Sequence, residues 1–231
     1  MHPADHSSDE RDDEPAGIDL SWYVPASAHV PGAILIAVMA ALWVAHIGTG
    51  GMVRWGVSAA TLAAGRYDTI FLHMFAHGGA AHIAMNAVAL AVLSGPLVAR
   101  LGDPPGAWLR YYAMFLASGL AGMAMYVGLQ PHGVMPMVGA SGAIYGLLGL
   151  LIRLPREGEP LMPVLSRRTK AIVIGLVKSN AWLIVIFAVI PFLFGQSAGL
   201  AWEAHLGGFL FGLLAGPWFL PHDARMPSHP D

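Results

Sequence analysis

Cysteine is absent from the 231 residues, which excludes disulfides, thiolate metal sites and a cysteine nucleophile. Charge is scarce: Asp, Glu, Lys and Arg supply 11% of the chain, against roughly 25% in ordinary soluble domains. The net charge is −2, and no basic stripe interleaved with aromatics is present, so no nucleic-acid partner is expected. Lysine occurs only as Lys170 and Lys178. A basic N-terminal start is missing too. Met1 to Asp19 carries Asp5, Asp9, Glu10, Asp12, Asp13 and Glu14 against Arg11, the reverse of a signal peptide, and it lacks a transit peptide's arginines. Residues 1–29 read as a disordered acidic tail.

What is abundant is apolar. Hydrophobic residues make up 56% of the chain and fall in blocks about 20 residues long, the length that crosses a hydrocarbon core about 30 Å thick. The expected fold is an all-α polytopic membrane protein with six spans at about 31–49, 80–99, 107–129, 141–154, 180–195 and 201–220. These lie in a membrane domain over 30–220, followed by a short tail at 221–231. The fourth span is short, about 21 Å at helical rise, and the fifth holds Pro191. A short helix entered by a loop begins inside the bilayer's depth only if protein or water surrounds that loop.

Basic residues set the orientation, because cytoplasmic loops near spans retain them. With both termini inside, Arg11, Arg100, Arg110, Arg153, Arg156, Arg167, Arg168, Lys170, Lys178 and Arg225 are cytoplasmic. Only Arg54 and Arg66 are outside. The outer segment Gly50 to Gly79, with Trp55, Tyr67, Phe71 and Phe75, suits a loop lying partly in the interface, the alternative being a plain exposed loop.

Polar groups at bilayer depth are costly unless paired or facing water, which makes each a candidate. They are His46, His82, Asn86, Ser141, Tyr145, Glu203 and His205. Gly139-Ala140-Ser141-Gly142 ends the uncharged outer loop Gln130 to Ala140 and opens the fourth span. There, unpaired N–H groups and the helix dipole stabilise a developing oxyanion. A serine before a helix is also a common N-cap, and the motif alone does not decide.

In the sixth span, His205, Gly208, Gly212 and Gly216 share one helical face. Glycines four residues apart admit a second helix at close backbone distance, and Gly142 and Gly146 form the complementary face. The geometry brings Ser141 and His205 within hydrogen-bond reach, as an activated serine requires. A tightly packed helix pair with a buried histidine is the alternative. Tyr145, one turn below Ser141, points to the same seam and is placed to stack on the imidazole.

His82 and Asn86 lie one turn apart, presenting donors of the kind that complete an oxyanion hole, or else bonding a neighbouring helix. His73 and His77 have a metal-like spacing. Met74, however, stands where a zincin needs glutamate, so no metal or other cofactor is expected.

Together His-x4-His-x3-Asn, Gly-x-Ser-Gly with tyrosine four residues after the serine, and Ala-His-x2-Gly-x3-Gly resemble the rhomboid family of intramembrane serine proteases. The resemblance covers about residues 30–220, with the motifs in family order. It implies a six-helix bundle with a short central fourth helix and a dyad of Ser141 and His205 without a third acid. It further implies an oxyanion hole from His82, Asn86 and the Ser141 amide, with Gly139 shaping the loop before the nucleophile. Tyr145 would support His205, and His77 would hold the outer loop. One departure is Asp68-Thr69, where many rhomboids carry Trp-Arg, which bears on how that loop is anchored. Glu203 lies two residues from His205, about 200° around the helix, and reads as an interfacial residue.

The implied activity is endoproteolysis of membrane-protein substrates near the outer face of the lipid bilayer, with Met85 helping to line the subsite. The acidic start favours a bacterial plasma membrane. A serine–lysine protease conflicts with the topology, because both lysines are cytoplasmic. An aspartyl protease lacks the paired intramembrane aspartates. A catalytically inactive rhomboid-like protein that binds membrane helices is the alternative, although its usual mark is loss of the serine or histidine. A small transporter lacks a repeated half.

Overall fold

The computed structural model describes residues 23–47, 49, 52–154, 161–185, 193 and 201–222. The acidic segment before Tyr23, Arg11, Arg156, Pro191, most of the expected fifth span beyond 185 and the tail after His222 lie outside these residues.

Among the described residues the architecture is helical. Helix α1 is Ala26–His46, and short α2 (Ala59–Ala63) and α3 (Thr69–Leu72) lie in the segment before α4 (Ala80–Arg100). Then follow α5 (Gly106–Leu129), α6 (Ser141–Leu151), α7 (Arg167–Ile184) and α8 (Trp202–Leu214). Helices α1, α4 and α5 are long and apolar enough to cross a membrane, with 21, 21 and 24 residues. The chain is a polytopic membrane protein.

Helix α6 is the hub. Gly142, Ala143, Ile144, Gly146, Leu147, Gly149, Leu150 and Leu151 are all buried, so it is apolar around its circumference, as a helix surrounded by protein must be. It packs most extensively against α8 and then α5, while α1 packs on α4. Ser94 of α4 and Tyr111 of α5 share a buried hydrogen bond of 2.6 Å.

Several boundaries differ from the sequence reading. Helix α1 starts at Ala26, not 31, which takes residues 26–29 out of the expected tail. Pro31 is accommodated inside the helix, and the Pro25 carbonyl accepts the Ala28 N–H at its start. The fourth span ends as helix at Leu151, and the sixth at Leu214, followed by a 3₁₀ turn over Gly216–Phe219 with Pro217 near its start. Proline has no N–H to continue the helical ladder. The largest correction concerns the fifth span. Helix α7 begins at Arg167, well before 180, because Ser166 Oγ accepts the Thr169 N–H at 3.1 Å. That cap starts a helix in a stretch whose charge hides it from a hydropathy reading.

The outer segment is built of turns and short helices. A 3₁₀ turn at Val53–Trp55 precedes α2, which carries a capping box in which Ser58 and Thr61 bond reciprocally. Around Asp68-Thr69 the segment is held by contacts of its own. Arg66 holds Asp68 through two hydrogen bonds of 2.9 and 2.8 Å and donates to the Arg54 carbonyl, while buried Thr69 donates to the Arg66 carbonyl at 2.6 Å.

Candidate active site

The site forms where α6 begins. The N-cap of α6 is Ala140, which has no side chain to cap with, and Ser141 is the first helical residue. The first N–H bonded back into the helix is that of Ile144, to the Ala140 carbonyl, so the Ser141 amide has no intrahelical acceptor. The serine hydroxyl is not spent on a cap. Its Oγ lies 2.7 Å from Nε2 of His205, 64 residues further along the chain.

Glycine brings the two helices that close. A Cβ on Gly208 would fall on the carbonyl oxygen of Gly142, and one on Gly212 on that of Gly146, so any side chain would push α6 and α8 apart. Gly122 of α5 and Gly142 of α6 approach the Ala204 carbonyl from two sides, their Cβ positions 2.6 and 3.2 Å from its oxygen. The residue before His205 is therefore clamped between two helices. Gly216 falls in the 3₁₀ turn beyond α8, where its Cβ position lies 2.9 Å from Leu150 Cβ of α6, so the close packing continues past the helix end. The rings of Tyr145 and His205 stack at 4.5 Å with an interplanar angle of 12°.

A second wall faces the serine. Gly139, two residues before Ser141, has φ +121°, a conformation open to glycine and strained for other residues. His82 lies against it: the Cβ position of Gly139 is 2.6 Å from His82 Nε2 and 3.6 Å from Asn86 Nδ2. The Gly139 N–H donates to the His73 carbonyl at 2.8 Å, tying the loop before the serine to the outer segment. Asn86 Nδ2 is 2.9 Å from Nε2 of His77, and the His77 and His82 rings meet edge to face at 5.1 Å.

His73 Nδ1 donates to the Thr69 carbonyl at 3.0 Å, so the rings of His73 and His77 are engaged with different partners. Burial in the outer segment holds the imidazoles of both His73 and His77 down to about 4. His46 donates to the Leu42 carbonyl and lies 4.7 Å from the Trp55 ring, at the end of α1 and away from the serine. Met85 is exposed on α4.

Two features escaped the sequence reading. The His73 carbonyl acts through its backbone and leaves no side-chain signal. Glu203, in the first turn of α8, is buried by its neighbours and accepts a 2.6 Å hydrogen bond from Gln130 at the end of α5. Glu203 and Gln130 were visible as polar residues flanking apolar runs, although nothing in their spacing paired them. With its carboxylate held by Gln130, Glu203 does not serve as a third member behind His205.

The fold and site define a helical membrane protein in which a helix-opening serine bonds a histidine across a glycine-packed seam. The Rhomboid domain family model matches residues 64–222, and the chain belongs to the rhomboid family. It is 30% identical over 148 residues to "Rhomboid-like protease 5" of Toxoplasma gondii, covering 62% of this chain and 15% of that protein. It is 27% identical over 147 residues to "Rhomboid-type serine protease 2" of Emericella nidulans, covering 62% and 25%. A third relative, "RHOMBOID-like protein 5" of Arabidopsis thaliana, is 26% identical over 140 residues, covering 61% and 40%. The matched region thus spans well under half the length of each of these relatives.

Proposed function

We propose that this chain is an intramembrane serine endopeptidase in which Ser141 is the nucleophile and His205 the general base. The observation that carries this reading is the 2.7 Å contact between Ser141 Oγ and His205 Nε2. For Nε2 to accept the serine proton, the ring's own proton sits on Nδ1. Oγ attacks the scissile carbonyl carbon as Nε2 takes the hydroxyl proton. The Ser141 N–H, Asn86 and His82 receive the negative oxygen. When the C–N bond breaks, the imidazolium returns its proton to the leaving amine, leaving an acyl-enzyme. A water molecule activated by the same ring then releases the acid.

Substrates in this reading are membrane proteins whose transmembrane segment unwinds beside Ser141. Gly and Ala near the cut ease entry, Gly because it weakens a helix and both because small side chains fit a narrow site. Ser141 and Arg153 lie at opposite ends of the short central helix, and the bias of basic residues puts the Arg153 end and both termini in the cytoplasm. The cut then falls near the outer face, in a bacterial plasma membrane. Six spans belong to this proposal, the fifth over about 180–195 as expected from the sequence.

The test is cleavage of a single-span reporter by the purified full chain in detergent, with Ser141→Ala and His205→Ala alongside. Processing by the wild type alone is expected. Equal processing by all three overturns the reading, and folded wild-type protein that binds the reporter without cutting it turns the assignment to helix binding.

A further inference from the structure

Resting on the proteolytic reading, we propose that His77 is a positioning residue for the oxyanion side of the site, holding the Asn86 amide so that one of its N–H groups stays aimed beside Gly139 and Ser141. The argument begins with what an amide nitrogen can do. Asn86 Nδ2 lies 2.9 Å from His77 Nε2, and an amide NH2 group donates and does not accept. The ring nitrogen must therefore accept, which puts the imidazole proton on Nδ1 and keeps the ring neutral.

An NH2 group has a second hydrogen, fixed in the same plane. Once the first is committed to His77, the second has one direction left. The same nitrogen is the Asn86 atom nearest the Cβ position of Gly139, 3.6 Å away, at the loop residue two positions before Ser141. Without His77 the amide is free to turn about its side-chain bonds and to present its oxygen, an acceptor that repels an oxyanion.

The surroundings suit this role. His77 and Asn86 are 2% and 5% exposed, so water does not compete for their contact. The other ring nitrogen of His77, Nδ1, is buried, with the Phe75 backbone as the ring's second polar neighbour beside Asn86. The edge-to-face contact with His82 couples the ring to the second donor of the wall. His77 sits outside α4, three residues before its first turn, so one side chain from the outer segment sets the orientation of two on the helix.

The experiment is a double-mutant cycle on the full chain in detergent, with kcat and KM measured on the single-span reporter. Asn86→Ala is expected to lower kcat by about 10²-fold, as loss of an oxyanion donor does. His77→Phe keeps the ring and removes the acceptor, and should lower kcat roughly ten- to a hundredfold with KM little changed, since only transition-state contacts are lost. The double variant should be no slower than Asn86→Ala alone. His77→Gln, whose amide oxygen reaches the Nε2 position, should recover most of the rate, and the shorter His77→Asn should not. The Gln and Asn pair keeps the test decisive if His77→Phe does not fold. Losses that multiply in the double variant, a change confined to KM, or equal loss in the Gln and Asn variants would overturn the role. If the wild type cuts and Ser141→Ala does not, such a result removes the His77 assignment alone. If the wild type matches Ser141→Ala, both readings fall.

Discussion

Gly142 and Gly208 touch backbone to backbone, with the carbonyl oxygen of the first occupying the place of a missing Cβ on the second. The catalytic contact proposed for Ser141 and His205 depends on this approach, since each residue of the pair is one to three positions from one of these glycines. Replacing Gly208 by Ala, or Gly212 by Val, must separate α6 from α8, because the obstructing atoms are backbone and cannot swing aside. Overpacking of this kind costs about 1–3 kcal/mol or more. The expected outcome is a lower midpoint of thermal unfolding in detergent. Activity should also fall further than the loss of folded protein explains, because hydroxyl and imidazole are drawn apart.

The stack of Tyr145 on His205 separates ring from hydroxyl. Tyr145→Phe keeps the face that lies 4.5 Å from the imidazole and should retain most of the kcat. Tyr145→Ala removes it, and aromatic pairs contribute about 0.5–1.5 kcal/mol beyond burial, equivalent to a loss of roughly two- to tenfold if the whole term holds the ring in place. Steady-state rates on the reporter distinguish the two, and a Phe variant as slow as Ala would show that the phenol oxygen matters instead.

Gln130 and Glu203 make an asymmetric pair. Gln130→Leu leaves a buried carboxylate without its 2.6 Å donor and should destabilise the fold by about 1–3 kcal/mol or more. Replacing both residues with leucine removes the unpaired group and should recover much of that loss. Unfolding midpoints of the two variants decide the matter, and equal midpoints would mean that the pair contributes nothing beyond its volume.

Acid should weaken the outer segment. Burial, and then the neighbouring His82, hold His77 down to about 4 from its ordinary 6.5. Between those values the unfolded chain binds a proton that the folded chain does not. Stability from the neutral ring is therefore fully present above about pH 6.5 and is lost as pH falls toward 4. Thermal unfolding followed across this range should decline with acidity in the wild type and decline less in His77→Gln, which cannot titrate. Parallel curves would remove His77 as the source.

Much of the site was legible because its parts obey helical spacing. The fourfold repeat of Gly208 and Gly212 implied a close neighbour, Gly142 and Gly146 supplied one, and the meeting of Ser141 with His205 followed. The spans matching α4 and α5 were bounded within a residue by predominantly apolar runs. Helix α7 was missed at its start because a Ser166 cap, rather than hydropathy, begins it. The partner of Glu203 was missed because angle around one helix says nothing about what a neighbouring helix offers, here Gln130. The Gly139 to His73 bond is backbone to backbone and has no residue signature. The contact of His77 with Asn86 depends on where the chain turns between two elements, which spacing does not encode.

The flat stack on Tyr145 also limits how His205 can move during turnover. An imidazole pressed face-on against another ring can slide within its own plane but cannot turn over. In the proposed reaction, whatever proton the ring collects at its Nε2 edge must be handed back at that same edge, within a short displacement of the serine oxygen. The departing half of a cleaved substrate would then have to leave through the gap from which the hydroxyl proton came. Traffic through the site would thus be single-file: one fragment gone before water can take its place.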